Sequence, residues 1–400
     1  MRKLAEFGHK LWIDLQLDAP PLVQRTMIPL LHQAKEVGRI LVKPSLTLYQ
    51  LQGYNEAGPL TVVYGGLGFA RPMLESLLFT QAPTEQTIGS VPLWSLSQVA
   101  ECLAGDLIII EASNYLVDQL PRDHALVLPW WVDLVLDVQG EWEEVTQRFH
   151  GSVRGQDMRR VRKYGYEYEV SHRNEDFDLF YHKMYLPSME ARHGQLASPL
   201  PLAEAYQYFR RGWLFLIKRD GDYVAGCICF AQQGVVKFRE IGVLNGDEQL
   251  MREGAQGAVY YAMVHWANKN SYNAVDFLGS WPYMSLGMFR YKRKWGSTVR
   301  LSALEHKRIW LKIQRFTPAV SEFLQKNPCI ITAENGGLQG LIVTSDPHHI
   351  TPGLRAEWRK LYETPGLENL LICTPENLVS LSTQLSGKEM QARNQPGAVV

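Results

Sequence analysis

Four cations, Arg290, Lys292, Arg293 and Lys294, fall within five positions and are interleaved with Phe289, Tyr291 and Trp295. A cation set among rings that normally seek burial can stabilise an oxyanion or hold a phosphate, since charge acts more strongly where water is excluded. The run closes a segment, residues 276–296, that reads D-F-L-G-S-W-P-Y-M-S-L-G-M-F-R-Y-K-R-K-W-G. It passes from a carboxylate in a strand-like start, through a glycine-bearing loop, to the cations. The competing account is a solvated basic turn whose aromatics plug the core. A second basic run, Arg154, Arg159, Arg160, Arg162 and Lys163, follows Trp142, Val145 and Phe149 at helical spacing. It suits an anionic substrate, or equally a solvated helix packing through Met158 and Val161.

The elements that must position these residues are most legible in the second half of the chain. Phe177, Phe180, Tyr181, Met184 and Tyr185 mark a helix, and residues 213–218, 223–230 and 235–243 then read as strands. Asp220-Gly221 and Gln233-Gly234 separate them, and Asp-Gly between apolar runs is a strong hairpin signal, so an antiparallel meander is expected. A long helix follows from about Glu248 to Asn268, with Met251, Ala255, Val259, Ala262, Met263 and Trp266 on one stripe. A helical crossover leaves the next short strand, 274–277, parallel to the strand before the helix. In the first half, an apolar strand at 60–64 leads through Gly65-Gly66-Leu67-Gly68 into a helical run from Ala70. That order resembles a phosphate-cradling turn, but it lacks the lysine and serine of a P-loop and the third glycine of a dinucleotide fingerprint, so a plain turn is expected. Strands at 106–111 and 131–137 complete an α/β first domain ending near residue 140.

A chain of 400 residues exceeds the size at which one core usually keeps growing, which points to more than one domain. With 46% hydrophobic and 20% charged residues it is globular in composition. Forty-one basic side chains balance 41 acidic ones, which argues against a protein that neutralises many phosphates along duplex DNA. The N-terminal run carries Glu6 and Asp14 and lacks a secretory h-region, and no uncharged apolar run is long enough for a membrane span. Five scattered cysteines without C-x-x-C fit a reducing cytoplasm, and Cys227 and Cys229 share one strand face as core thiols. No histidines stand at H-x-x-x-H spacing, and the adjacent His348 and His349 have no cysteine partners, so no metal site is expected. Strand-like runs at 329–333, 341–344 and 370–373, with a helix near 354–362, suggest a small C-terminal α/β appendage. Disorder is expected over 386–400.

The order of helix, meander, long helix, short strand, glycine-bearing loop and basic segment resembles the catalytic half of the GNAT N-acyltransferases. Within that superfamily, D-F-x-G, Gly287 and F-R-Y-K-R-K-W-G are similar to the ending of the FemAB-like branch. The earlier L-P-W-W-V-D-L-V-L-D and R-G-Q-D-M-R-R-V-R-K-Y-G match the way that branch enters its second domain. The resemblance covers roughly residues 125–305. It implies an α/β fold with mixed sheets: two GNAT-like domains in tandem, over 1–140 and 141–320, and the appendage over 321–400.

The resemblance also implies roles. Lys292 matches the lysine of the branch's Phe/Tyr-Lys signature and would stabilise an oxyanion or a donor phosphate. Glu240 would serve as base, sharing a face with Phe238 and Val236, where burial raises a carboxylate's pKa. Tyr283 and Tyr291 would protonate the leaving group. Arg159, Arg160, Asp276 and Arg290 would meet substrate, with Asp276 more suited to pairing Arg290 or Lys292 than to acting as a base. The donor diphosphate would rest on Arg252, Gly254, Ala255, Gln256 and Gly257, an imperfect match because Ala255 stands where a glycine is usual. An acyl-CoA such as acetyl-CoA is the implied donor and an amine, for example on an amino sugar or cell-envelope precursor, the acceptor. The alternatives are transfer from a charged tRNA in peptidoglycan precursor synthesis, and a binding module that keeps the fold without catalysis.

Overall fold

The computed structural model describes residues 13–15, 17–20, 22–23, 26–28, 30–31, 34, 38, 42–66, 68, 70–194, 198–302, 306–333, 335–344, 351–374 and 377–378. Leu67 of the glycine turn, the histidine pair and the stretch 386–400 lie outside them. The chain divides into two compact units. One is built on Asp133–Leu278 and Tyr291–Thr298, and the other on Pro29–Val132, Gly279–Arg290 and Val299–Val400.

In chain order, β1 (Ser45–Asn55), β2 (Gly58–Gly65), α1 (Arg71–Leu78), β3 (Thr84–Pro92), α2 (Leu96–Cys102), β4 (Leu107–Ser113), α3 (Asn114–Val117) and β5 (Ala125–Pro129) come first. Next are β6 (Val132–Asp137), α4 (Trp142–Gln147), a π-helical turn (Val153–Asp157) running into α5 (Met158–Lys163), and β7 (Glu167–Ser171). The helices α6 (Asn174–Leu179), a π-helical segment (Phe180–Tyr185), α7 (Leu186–His193) and α8 (Leu202–Arg211) lead to β8 (Trp213–Arg219), β9 (Asp222–Gln232) and β10 (Val235–Val243). Then follow α9 (Glu248–Glu253), α10 (Ala255–Lys269), β11 (Ala274–Ser280) and α11 (Gly287–Arg293). The chain continues with β12 (Thr298–Leu301), β13 (Lys307–Ile313), α12 (Pro318–Lys326), β14 (Cys329–Thr332), β15 (Leu338–Val343), α13 (Pro352–Tyr362) and β16 (Asn369–Cys373).

Both units are mixed α/β, as expected. In the unit containing β1, the strands run β3-β1-β2-β4-β13-β5, with β2 and β4 parallel and the others antiparallel. A separate sheet, β14-β15-β16, uses the strands expected near the C-terminus. The described residues at the end of β2 and the start of α1 meet the protein's own carboxylate. Glu111 Oε2 accepts the Tyr64 hydroxyl at 2.6 Å and the Ala70 N–H at 3.2 Å, so negative charge already sits where a bound anion would.

In the other unit, β8, β9 and β10 form the expected meander, with Asp220-Gly221 and Gln233-Gly234 all at positive φ in the hairpin turns. Parallel β11 lies against β10. Apolar side chains of α10 cover one face, where Val259, Ala262 and Met263 meet Cys227, Val236 and Phe238. The segment from α6 to α8 covers the other, where Phe180, Tyr185 and Phe209 meet Leu216 and Ile228. The single helix expected over 248–268 is in fact two. Gly254 adopts φ 98° between α9 and α10, a left-handed conformation that ends one helix and that glycine adopts without a Cβ penalty.

Close approach of the π-helical segment to β10 depends on Gly242. A Cβ there would lie 2.5 Å from the Tyr185 backbone nitrogen and 2.6 Å from the Met184 carbonyl oxygen. Backbone cannot rotate away as a side chain can, so Gly242→Ala should lower the unfolding free energy by about 1–3 kcal/mol. Urea titration measures this, and an unchanged midpoint would contradict the packing described.

Candidate active site

The ladder between β10 and β11 is short. Only Val235–Ala274, Val236–Val275 and Lys237–Asp276 pair, although β10 continues to Val243 and β11 to Ser280. Two irregularities coincide with the opening. On β10 the register against β9 shifts between Phe238 and Glu240, leaving Arg239 as the extra residue of a bulge. On β11 Leu278 has φ 60°, a left-handed conformation that costs a non-glycine residue roughly 1–3 kcal/mol.

Side chains hold the Leu278 kink. Asp276 Oδ1 accepts the Leu278 N–H at 2.8 Å, and Lys292 Nζ donates to the Leu278 carbonyl at 3.2 Å. Lys237 Nζ lies 3.6 Å from Asp276 Oδ2. Asp276 is therefore tied to Leu278 and Lys237, and Lys292 acts on the backbone of the same strand. Lys292 is only 8% exposed. Burial lowers its pKa from the ordinary 10.5 to about 8, against the opposing pull of Asp276 and Asp133.

The bulge also moves Glu240. Strict alternation would keep it with Val236 and Phe238, but Phe238 pairs with Cys229 while Glu240 pairs with Ile228, whose side chain belongs to the opposite core. Glu240 thus faces the α6–α8 side. Arg239 Nη1 donates to Glu240 Oε1 at 3.0 Å and Arg239 Nη2 to Glu204 Oε1 at 3.3 Å, with the guanidinium 4.7 Å above the Tyr208 ring. Burial raises the Glu240 pKa, Arg239 and a hydrogen bond from Tyr185 partly oppose it, and Glu204 adds to it. The side chain is still 15% exposed, so a proton can reach it.

On the α10 side, Tyr260 packs between Phe238 (ring centroids 4.6 Å), Phe277 (5.1 Å) and Tyr291 (5.0 Å). Burial raises the pKa of both tyrosines, which keeps them protonated at neutral pH. The first turn of α10 presents Ala255, Gln256 and Gly257, so the split helix places these residues at a helix N-terminus, where unpaired N–H groups favour an anion. Arg192 Nη2 donates to Gln256 Oε1 at 3.2 Å. A Cβ on Gly257 would lie 3.5 Å from the Tyr291 hydroxyl and 3.2 Å from Asp157 Oδ1. Asp157, buried, is bound by Lys294 at 2.8 Å.

The remaining expected residues lie elsewhere. Arg252 is exposed and pairs with Glu248 at 2.6 Å. Arg159 is exposed, whereas the Arg160 stem packs on Gly254, where a Cβ would lie 3.0 Å from Arg160 Cδ. Tyr283 and Arg290 belong to the other unit. Tyr283 is fully buried, its hydroxyl unpaired and its pKa raised by burial beside Cys329, and Arg290 is exposed. Tyr185, Tyr260, Asp157, Arg192 and Arg239 were not anticipated as site residues. Tyr185 read as helix core, Asp157 lay within the R-G-Q-D-M segment, where the arginines drew attention instead, and Tyr260, Arg192 and Arg239 carry no motif of their own.

No family model and no curated protein matches the chain. Among solved structures it is similar to FemX, with a TM-score of 0.36 and 13% identity over 65% of this chain and 83% of that one. L-PGS from Bacillus licheniformis gives 0.32 and 11% over 68% and 87%. A GCN5-related N-acetyltransferase from Sphaerobacter thermophilus gives 0.28 and 12% over 67% and 76%. Likenesses of this order leave what the site can do to its own geometry.

The buried lysine has a measurable signature. With its folded pKa below the unfolded one, the native state releases the proton first, so stability rises with pH between about 8 and 10.5. Relative to Lys292→Met, the wild type should gain up to about 3 kcal/mol across that window. Parallel pH dependences in the two proteins would mean that Lys292 is solvated.

Proposed function

We propose that the unit built on β8–β11 and α10 is an acyltransferase that moves an acyl group from a thioester or ester donor to an amine. The observation that carries this reading is the opened β10–β11 ladder, flanked by Glu240 on one sheet face and the first turn of α10 on the other. An extended acyl carrier laid along the opening could take up main-chain groups that the ladder leaves, while an amine enters on the Glu240 side.

In the reaction, the amine nitrogen forms a bond to the acyl carbonyl carbon and its proton passes to Glu240, directly or through one water. Collapse of the tetrahedral adduct breaks the bond to the leaving sulfur or oxygen, which takes a proton from the Tyr291 hydroxyl. Lys292 works as a positioning residue, since its ammonium acts through the Leu278 carbonyl. The residues suited to a diphosphate-bearing donor such as acyl-CoA are Gly254, Ala255, Gln256 and Gly257, with Arg160 and Arg192 beside them. The acceptor class we favour is an amine on an amino sugar or cell-envelope precursor.

A second reading, transfer from an aminoacyl ester on tRNA, is favoured by Asp157. Its carboxylate sits beside Gly257 and is paired with Lys294 at 2.8 Å, so a cation that a diphosphate would draw on there is already engaged.

Glu240→Gln should lower kcat by roughly 10²–10⁴ with the unfolding midpoint retained, read as thiol release from acetyl-CoA in the presence of amino sugars. Because burial raises the Glu240 pKa, wild-type kcat/KM should fall with decreasing pH at a point above the ordinary carboxylate range, and that limb should vanish in the variant. Thermal shifts with acetyl-CoA, coenzyme A and charged tRNA separate the donors, because a ligand of the folded state raises its stability. Stabilisation by none of them, together with no acyl transfer by the wild type, would favour a non-catalytic module, whereas wild-type rates in Glu240→Gln would overturn the role given to Glu240.

A further inference from the structure

In the unit containing β1, one face of the six-stranded sheet changes character along that strand. Beneath α2 it is apolar, with Leu46, Leu48 and Val63 packed against Leu96 and Ala100. Past the end of α2 at Cys102 the same face continues as Gln50, Gln52 and Tyr54, because residues two apart on a strand share a face. Register extends the change to the neighbouring strands. Gln52 lies opposite Thr61 of β2 and Thr84 of β3, and Gln50 lies opposite Gln86 of β3. The Thr61–Gln52–Thr84 row and the Gln50–Gln86 pair therefore lie about 7 Å apart along the sheet.

Two depressions lie on this surface, of about 530 Å³ and 690 Å³, and they share Gln52 and Thr61. Among the described residues lining them, Arg315 is the one charged side chain, and it is paired with Asp106 at 3.0 Å. Gln314 closes one wall, its amide nitrogen donating to the Leu103 carbonyl at 3.1 Å. At the far end Tyr54 is 67% exposed.

We propose that this face binds a neutral glycan chain. A side-chain amide offers a donor and an acceptor side by side, and a hydroxyl offers both on one atom, which matches the paired hydroxyls of a sugar ring. The Tyr54 ring supplies a flat apolar surface with a polar edge, suited to the C–H face of a pyranose. The near absence of charge disfavours a phosphorylated or acidic ligand. A peptide fits less well, since strand addition uses a sheet edge and side-chain pockets rather than an open polar face. The inference is independent of the acyl-transfer chemistry and of which donor the other unit takes.

Isothermal titration of the full chain with cellohexaose, maltohexaose, mannohexaose and chitohexaose tests it. At least one should bind, with a dissociation constant on the order of 0.1–1 mM for so open a site. Gln50→Ala/Gln52→Ala should weaken that binding about tenfold or more at an unchanged unfolding midpoint. Tyr54→Ala, an exposed change that leaves the core untouched, should weaken it separately and serves should the double variant fail to fold. Binding of none of the four sugars at about 10 mM, ten times the weakest expected constant, would overturn the proposal. So would binding that neither variant alters, or capture of a neutral Gly-Ser peptide in place of every glycan.

Discussion

One residue more in β10 than its partner strand can match sets the geometry of the candidate active site. Arg239 is that residue, and the bulge it makes bends the strand as two residues oppose one. Glu240 is thereby turned from the α10 face to the α6–α8 face, and the same stretch of β10 no longer follows β11. A regular strand would have placed the carboxylate under α10, on the face where Val236 and Phe238 pack. The bulge delivers it to Arg239, Glu204 and Tyr185 instead, where its charge has partners and its pKa is still raised by burial.

The opposite side of the opening depends on a matched device. Leu278 is held in a conformation that a leucine does not choose, with Asp276 on its N–H and Lys292 on its carbonyl. Burying an ammonium is unfavourable, and burial accordingly lowers the pKa of Lys292. The kink is thus maintained by two ionisable side chains, one on each side of the Leu278 peptide groups. It also accounts for the cations among rings at 290–294. Lys292 turns inward to the strand, Lys294 secures Asp157 and lies 4.0 Å above the Tyr291 ring, and Arg290 remains in solvent.

Much of the second half was legible in the residues. Two glycine-bearing turns, three apolar runs and one helical stripe were enough for the meander, the crossover and the parallel strand, because local turn chemistry and periodicity agree there. β3 was not legible. Its residues Thr84 to Gly89 are exposed on both faces, so it shows no alternation to read. The break at Gly254 was hidden because apolar spacing continues across it, and a glycine within such a stripe looks like a tolerated interior residue. The faces of Glu240 were misassigned because a bulge shifts alternation without changing composition.

The sequence by itself determined the local elements, the mixed α/β character and the residue types available to the proposed site, since the elements follow from short-range propensity and pattern. Only the tertiary structure decided which of those residues meet. It divided Tyr283 and Arg290 from Lys292 and Tyr291, added Tyr185, Tyr260 and Asp157, and put Gly254 at the head of α10. These assignments rest on register, on a bulge and on two left-handed residues. Each is selected by packing between segments distant in sequence, and that is information no local pattern carries.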